Sequence, residues 1–88
     1  MVSRKVKVIN PSGLHLSPAG RLCQEALKYR SSVWLSFDGT KANAKSVLSV
    51  LDACVKCSDE IEIICDGEDE EQALAALIVE IEEGLGEC

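Results

Sequence analysis

The sequence predicts an α+β open-faced sandwich, a four-stranded antiparallel sheet covered on one face by helices. Three observations lead there. Four short segments alternate apolar with polar or charged residues, as half-buried strands do. Three others repeat apolar residues at helical spacing. Read in order, the elements run β-α-β-β-α-β-α, and strands with charged outer faces suit a sheet that is solvated on one side only. The 88 residues form one domain spanning 1–88, large enough for a single core.

The first strand is residues 2–9, with Val2, Val6 and Val8 on one face and Lys5 and Lys7 on the other. The stretch 10–13, Asn-Pro-Ser-Gly, is a turn. From Pro18 to about Tyr29, the residues Ala19, Leu22, Cys23, Ala26 and Leu27 form the inner face of a helix, with Arg21, Gln24, Glu25 and Lys28 outside. Ser31–Phe37 is the second strand, with Val33, Leu35 and Phe37 inward. Asp38-Gly39 signals a hairpin, so 40–43 is the return strand. Ser46 stands in the capping position of a short helix whose apolar residues are Val47, Leu48, Val50, Leu51 and Cys54. Glu60–Cys65 is the last strand, with Ile61, Ile63 and Cys65 inward. Asp69 with Gln72 suggests a capping box for a final helix that turns Ala73, Leu74, Leu77, Ile78 and Ile81 inward. Acidic residues fill its first turn, where the helix dipole favours them, and Gly84 can end it.

Charge is divided unevenly along the chain. Residues 1–56 hold all nine basic residues and three acidic ones, whereas 57–88 hold twelve acidic residues and no basic one. In a single domain these halves must pack together, which produces two oppositely charged regions of one surface. Pairing of the first and last strands would set Lys5 and Lys7 near Glu60 and Glu62, an attractive cross-strand arrangement. A net charge of −6 and an aromatic content of 3% argue against a nucleic-acid partner. No apolar run approaches the roughly 20 residues of a membrane span. The opening residues read as a strand and not a signal peptide, so a cytoplasmic location is expected.

The five cysteines, an odd number without a secretion signal, argue against a disulfide framework. Cys23 and Cys65 read as small buried hydrophobes. Cys54-Val-Lys-Cys57 has the spacing of a redox pair or half a zinc site, but no second pair or neighbouring histidine accompanies it. Incidental cysteines, with no metal and no cofactor, are therefore expected. Cys88 forms no lipidation box.

The chemistry-bearing feature is His15, the one histidine, lying between a glycine turn and a helix start. A helix N-terminus offers unpaired N–H groups and partial positive charge, which together can hold an anion. Positive potential favours a neutral imidazole, the form with a free lone pair. Such an imidazole can accept a phosphoryl group while the adjacent N–H groups bind the phosphate oxygens. The alternative is a histidine that merely caps the helix.

The stretch Gly13-Leu14-His15-x-x-Pro18-Ala19 resembles the active-site motif of the HPr family, the histidine phosphocarriers of the bacterial sugar phosphotransferase system. The resemblance extends over the whole chain: its length, its element order, the segment Asn43-Ala44-Lys45-Ser46-Val47 before the short second helix, and the acidic turn Gly67-Glu68-Asp69-Glu70. It implies that enzyme I, phosphorylated from phosphoenolpyruvate, passes the phosphoryl group to His15, which passes it to the IIA domain of a sugar permease. The protein would then be a carrier with no turnover of its own, with Leu16, Ser17 and Pro18 framing the phosphate site. Ser46 resembles the serine that HPr kinase/phosphorylase modifies in Gram-positive bacteria, a change that in the family slows transfer from enzyme I and recruits the catabolite control protein. Phosphate at an N-cap suits the dipole, so it should alter partners more than fold. Val47, Leu48 and Leu51 are expected to divide between core packing and partner docking.

One position departs from the family pattern. Where the motif carries an arginine, two residues after the histidine, this chain has Ser17. A guanidinium clamps a phosphoryl group bidentately, whereas a hydroxyl offers one neutral donor. By analogy with removal of a stabilising donor, the loss is worth about 10²–10³ in rate. Arg21, one turn along the same helix face, and Lys45, before Ser46, are the candidate replacements. Two readings follow: a working phosphocarrier that tolerates Ser17, or a regulatory relative that acts mainly through Ser46.

Overall fold

In the computed structural model, which describes residues 1–87, the order is β1 (Val2–Lys7), α1 (Leu16–Ala26), β2 (Ser32–Phe37), β3 (Thr40–Asn43), α2 (Val47–Asp52), β4 (Glu60–Asp66) and α3 (Glu70–Glu82). The four strands form one antiparallel sheet in the order β1-β4-β2-β3. Cys88 lies outside the described residues. Because β4 is central, its inward residues Ile61, Ile63 and Cys65 are buried, as are their neighbours Val6, Val33 and Leu35. α3 packs across β1 and β4, while α1 packs against α3 and α2. The aliphatic core, with Leu22, Leu77, Ile78 and Ile81 from the helices, fills the space between these layers. The uncovered face of the sheet carries the alternate residues, with Lys41 stacked 5.0 Å from the centre of the Trp34 ring, a cation–π contact.

The β1–β4 register sets Lys5 opposite Glu62 and Lys7 opposite Glu60. Attraction there is long-range only: among the described residues, neither pair closes to an ion pair within 4.0 Å. β1 ends at Lys7 and not at residue 9. Val8 is nonetheless buried, and its backbone continues the pairing by donating to Asp59 O and accepting from Ser58 N.

Several boundaries differ from the expected ones for local reasons. α1 starts two residues before Pro18, with His15 as its N-cap. Pro18 thus sits in the first turn, where an amide proton would have no helical partner in any case. The regular helix stops at Ala26, and turn bonds from Lys28 and Tyr29 continue the chain to β2. Cys54 does not extend the apolar face of α2. It has a positive φ of 57° and is exposed, while its neighbours Ala53 and Val55 are buried.

The expected capping box at α3 is absent. Asp69 is the N-cap but makes no side-chain cap bond. Its carboxylate turns toward β2, accepting from the Ser31 hydroxyl and from the Ser31 and Arg30 amides. These bonds, the Ser31 hydroxyl first, hold the Asp69 carboxyl at about 2. At the other end, Gly84 N donates to Ile81 O at 3.1 Å and Leu85 N to Glu80 O at 3.0 Å. That is the bonding of a Schellman motif, and it buries Leu85 and turns residues 86 and 87 back toward the start of α1.

Candidate functional site

The loop 8–14 is bound on two sides. Gly13 N donates to Asn10 O, closing the turn, and Leu14 N donates to Val55 O at 3.0 Å. A side chain at Gly13 would collide with this second contact: a Cβ there would lie 2.6 Å from Val55 O, and φ is +65°. Glycine is therefore required by both space and conformation. Leu14 and Pro18 are buried on either side of His15, so the backbone is anchored while the imidazole remains exposed.

His15 is extended, with φ −78° and ψ −175°, and its side chain makes no capping bond. Its carbonyl accepts from Ala19 N at 2.8 Å, the first bond of the helix. The amides of Leu16 and Ser17 belong to the unpaired first turn. An anion on the imidazole would meet these donors and the positive end of an 11-residue helix, an arrangement that favours negative charge. Leu16 projects into solvent, 63% exposed.

The two candidate cations diverge. Arg21 lines an open groove that runs along α1 from Leu16 and Ser17 to Lys28, with Glu80 beside it. Its Nε donates to Glu80 at 2.9 Å, which raises its already high pKa. Lys45 points elsewhere: its Nζ donates to Tyr29 O at 2.8 Å, beyond the C-terminal end of α1. At 1.5 Å rise per residue, α1 alone separates the two ends by roughly 16 Å. The structure therefore holds Lys45 away from the His15 end, while Arg21 stands in the middle of α1, in the groove that also includes Ser17.

Ser46 is the N-cap of α2, and its Oγ accepts from Ser49 N at 3.3 Å. Since Lys45 reaches the end of α1 and Val55 reaches its beginning, α1 and α2 run antiparallel, with Ser46 and His15 at opposite ends of the pair. Leu48 is 75% exposed, whereas Val47 and Leu51 are partly buried and pack on the core. The expected division between docking and core thus falls with Leu48 outside and the other two half inside.

Cys54 and Cys57 do not face one another. Cys54 lines a shallow groove with Phe37 and Thr40, while Cys57 Sγ lies 3.7 Å from Ile9 O. Among the described residues no cluster of three metal-ligating side chains occurs, and no helix is long and apolar enough to cross a membrane.

Asn10, Ser12 and Glu87 also meet at this corner, outside the sequence motif. The Glu87 carboxylate accepts from Asn10 Nδ2 at 2.9 Å and from Ser12 Oγ at 2.7 Å, tying the segment after α3 to the turn before His15. A buried asparagine beginning a turn is a recognisable signal. The glutamate, beyond two glycines, carries none.

Comparison with known proteins agrees with this geometry. Residues 2–83 match the family model described as the PTS HPr component phosphorylation site. The chain is 40% identical over 83 residues to the HPr-like protein Crh of Bacillus subtilis, covering 94% of this chain and 98% of that one. It is 36% identical over 77 residues to the phosphocarrier protein HPr of Treponema pallidum, covering 88% of each. The crystal structure of HPr from Thermoanaerobacter tengcongensis superposes with a TM-score of 0.96 at 34% identity, covering 100% of this chain and 99% of that one. An exposed histidine at a helix N-terminus, a sheet open on one face and relatives spanning nearly the full length lead to one conclusion: the chain belongs to the HPr family of phosphotransferase-system phosphocarriers.

Proposed function

We propose that this protein is a phosphocarrier that takes a phosphoryl group from phosphorylated enzyme I onto His15 and passes it to the IIA domains of sugar permeases. The observation that carries this reading is the state of His15: anchored by buried neighbours, exposed, and free of any capping bond. In the transfer, a ring nitrogen of His15 attacks phosphorus as the bond from phosphorus to enzyme I breaks. Developing charge on the phosphoryl oxygens meets the Leu16 and Ser17 amides and the helix dipole. Transfer to a IIA domain is the same displacement in the other direction. Leu16 and Leu48 are the exposed apolar groups available for docking on the two helices.

A second activity, regulatory phosphorylation of Ser46 by HPr kinase/phosphorylase, is supported by 40% identity to Crh, the catabolite repression HPr of Bacillus subtilis. The N-cap position of Ser46 can accept a phosphate's charge without opposing the dipole. A phosphorylated Ser46 would then present a new charge to the catabolite control protein. If the His15 relay is weak because Ser17 replaces arginine, this regulatory role becomes the main one.

Intact mass spectrometry tests both. Incubation with enzyme I and phosphoenolpyruvate should add one acid-labile phosphoryl group, absent in His15→Ala. Incubation with the kinase and ATP should add one acid-stable group, absent in Ser46→Ala. No acid-labile gain on the unaltered chain would overturn the carrier reading and leave the regulatory one.

A further inference from the structure

We propose that one flank of α1 and the start of α2 form an apolar docking face for enzyme I, built on Leu16, Leu27 and Leu48 and matched by apolar, not acidic, surface on that partner. This rests on the carrier reading above and deepens it.

Leu27 is the unexpected member. Its place in the apolar repeat of α1 points it inward, yet it is 60% exposed. It is the C-cap of α1 and keeps helical φ and ψ, −67° and −14°. Leu16 stands about three full turns before it, on the same flank of the helix. Gly20 lies between them on that flank. A Cβ there would meet nothing within 4 Å, so the fold has room for a side chain, and glycine weakens a helix interior relative to alanine. The bare backbone leaves space for a partner's side chain to seat between the two leucines. Leu48, the third exposed leucine, is in the first turn of α2. That turn begins by the C-terminal end of α1, where Lys45 reaches Tyr29 O. Exposed leucines scattered singly need no explanation. Three on one helix pair, the first of them next to His15, make a face continuous with the site of transfer.

Charge decides what covers this face. Arg21 donates to Glu80 at 2.9 Å, and Lys28, just beyond α1, to Glu25 at 3.0 Å. The Lys45 ammonium is taken up by Tyr29 O at 2.8 Å, and Lys56 belongs to the loop under Gly13, off both helices. α2 carries no cation, and among the described residues its Asp52 forms no ion pair within 4.0 Å. An acidic group on the partner would have to displace a carboxylate already in place, leaving Glu80 or Glu25 unpaired, and would meet Asp52 uncompensated. An apolar surface displaces only water from the leucines, and that is favourable.

The test is the kinetics of transfer from phosphorylated enzyme I, with this chain as the varied substrate. For the unaltered chain, KM should change less than about twofold between roughly 50 and 500 mM salt, because apolar contacts are not screened. Leu27→Ser and Leu48→Ser should each raise KM about 5- to 10-fold with kcat held, the scale of a leucine lost from an interface. Leu27→Lys separates the two kinds of partner. Against apolar surface it raises KM at least as much as Leu27→Ser, whereas against acidic surface it lowers KM and makes KM rise with salt. A lower KM for Leu27→Lys would overturn the proposal. So would a KM of the unaltered chain that climbs several-fold with salt, or Leu27→Ser and Leu48→Ser with KM unmoved, whatever their kcat. No transfer to the unaltered chain at either salt concentration is a different result: it overturns the carrier reading, and this proposal falls with it.

Discussion

The two ends of α1 use their polar side chains in opposite ways. At the N-terminal end, His15 caps with its backbone and leaves its imidazole free, while its neighbours provide the anchoring. At the other end, where α2 begins, Ser46 spends its hydroxyl on a capping bond and Lys45 spends its ammonium on the Tyr29 carbonyl. A side chain unnecessary to the fold is free to react. One that helps to hold the fold can be modified only by exchanging one stabilising interaction for another. The first arrangement suits a group that gains and loses phosphate at each transfer. The second suits a change made once and read by a partner.

The strongest test attacks the anchoring at the His15 end. Gly13 has a positive φ and no room for a Cβ against Val55 O, so Gly13→Ala must either distort the turn or displace the 54–58 loop. A cost of about 2–3 kcal/mol follows from backbone strain with overpacking. It should appear as a lower urea midpoint together with slower His15 phosphorylation. If the midpoint falls while the rate holds, the turn stabilises the fold without positioning the histidine.

A smaller effect separates the two side chains directly. Ser46→Ala removes an N-cap acceptor and should cost about 0.5–1 kcal/mol, the lower part of the usual range because the bond is long. His15→Ala removes no hydrogen bond from the fold and should change stability by less than about 0.5 kcal/mol. Chemical denaturation of both variants checks the contrast. Equal losses would mean that the imidazole has a structural task after all.

Most of the fold is legible because its strands obey a period of two and its helices a period near four, and burial follows both until α1 ends, where Leu27, expected inward, is 60% exposed. Val33 with Leu35, and Ile61 with Ile63, were placed inward by alternation and are buried. The site was less legible where contacts are distant in sequence. Pro18 suggested a helix beginning at itself, although every position of a first turn tolerates a missing N–H, so proline marks the turn and not its first residue. Asp69 looks like a local cap, but the amides of Arg30 and buried Ser31 compete for its carboxylate from outside α3. Lys45 is a candidate only if the loop before Ser46 lies near His15. The antiparallel packing of α1 and α2 puts them at opposite ends. Glu87 follows two glycines that suggest a tail, and only the Schellman turn at Gly84 brings it back.

The finest test asks whether either candidate cation, Arg21 or Lys45, serves a phosphoryl group on His15. Arg21 lies in the groove with Ser17, and although Glu80 holds its Nε, a guanidinium has further donors. Binding a phosphoryl group would turn this side chain partly away from Glu80, so some attraction is lost as some is gained. A modest effect follows: Arg21→Ala should slow phosphotransfer from enzyme I roughly 3- to 10-fold, well short of the 10²–10³ associated with a dedicated donor. Lys45→Ala should leave the rate unchanged, because its ammonium is at the far end of the helix. Glu80→Gln, which frees Arg21, should match or exceed the unaltered rate. Rate measurements on the three variants decide whether Arg21 substitutes for the missing arginine. A slower Lys45→Ala with an unaffected Arg21→Ala would reverse the assignment and move the phosphoryl-binding cation to the α2 side.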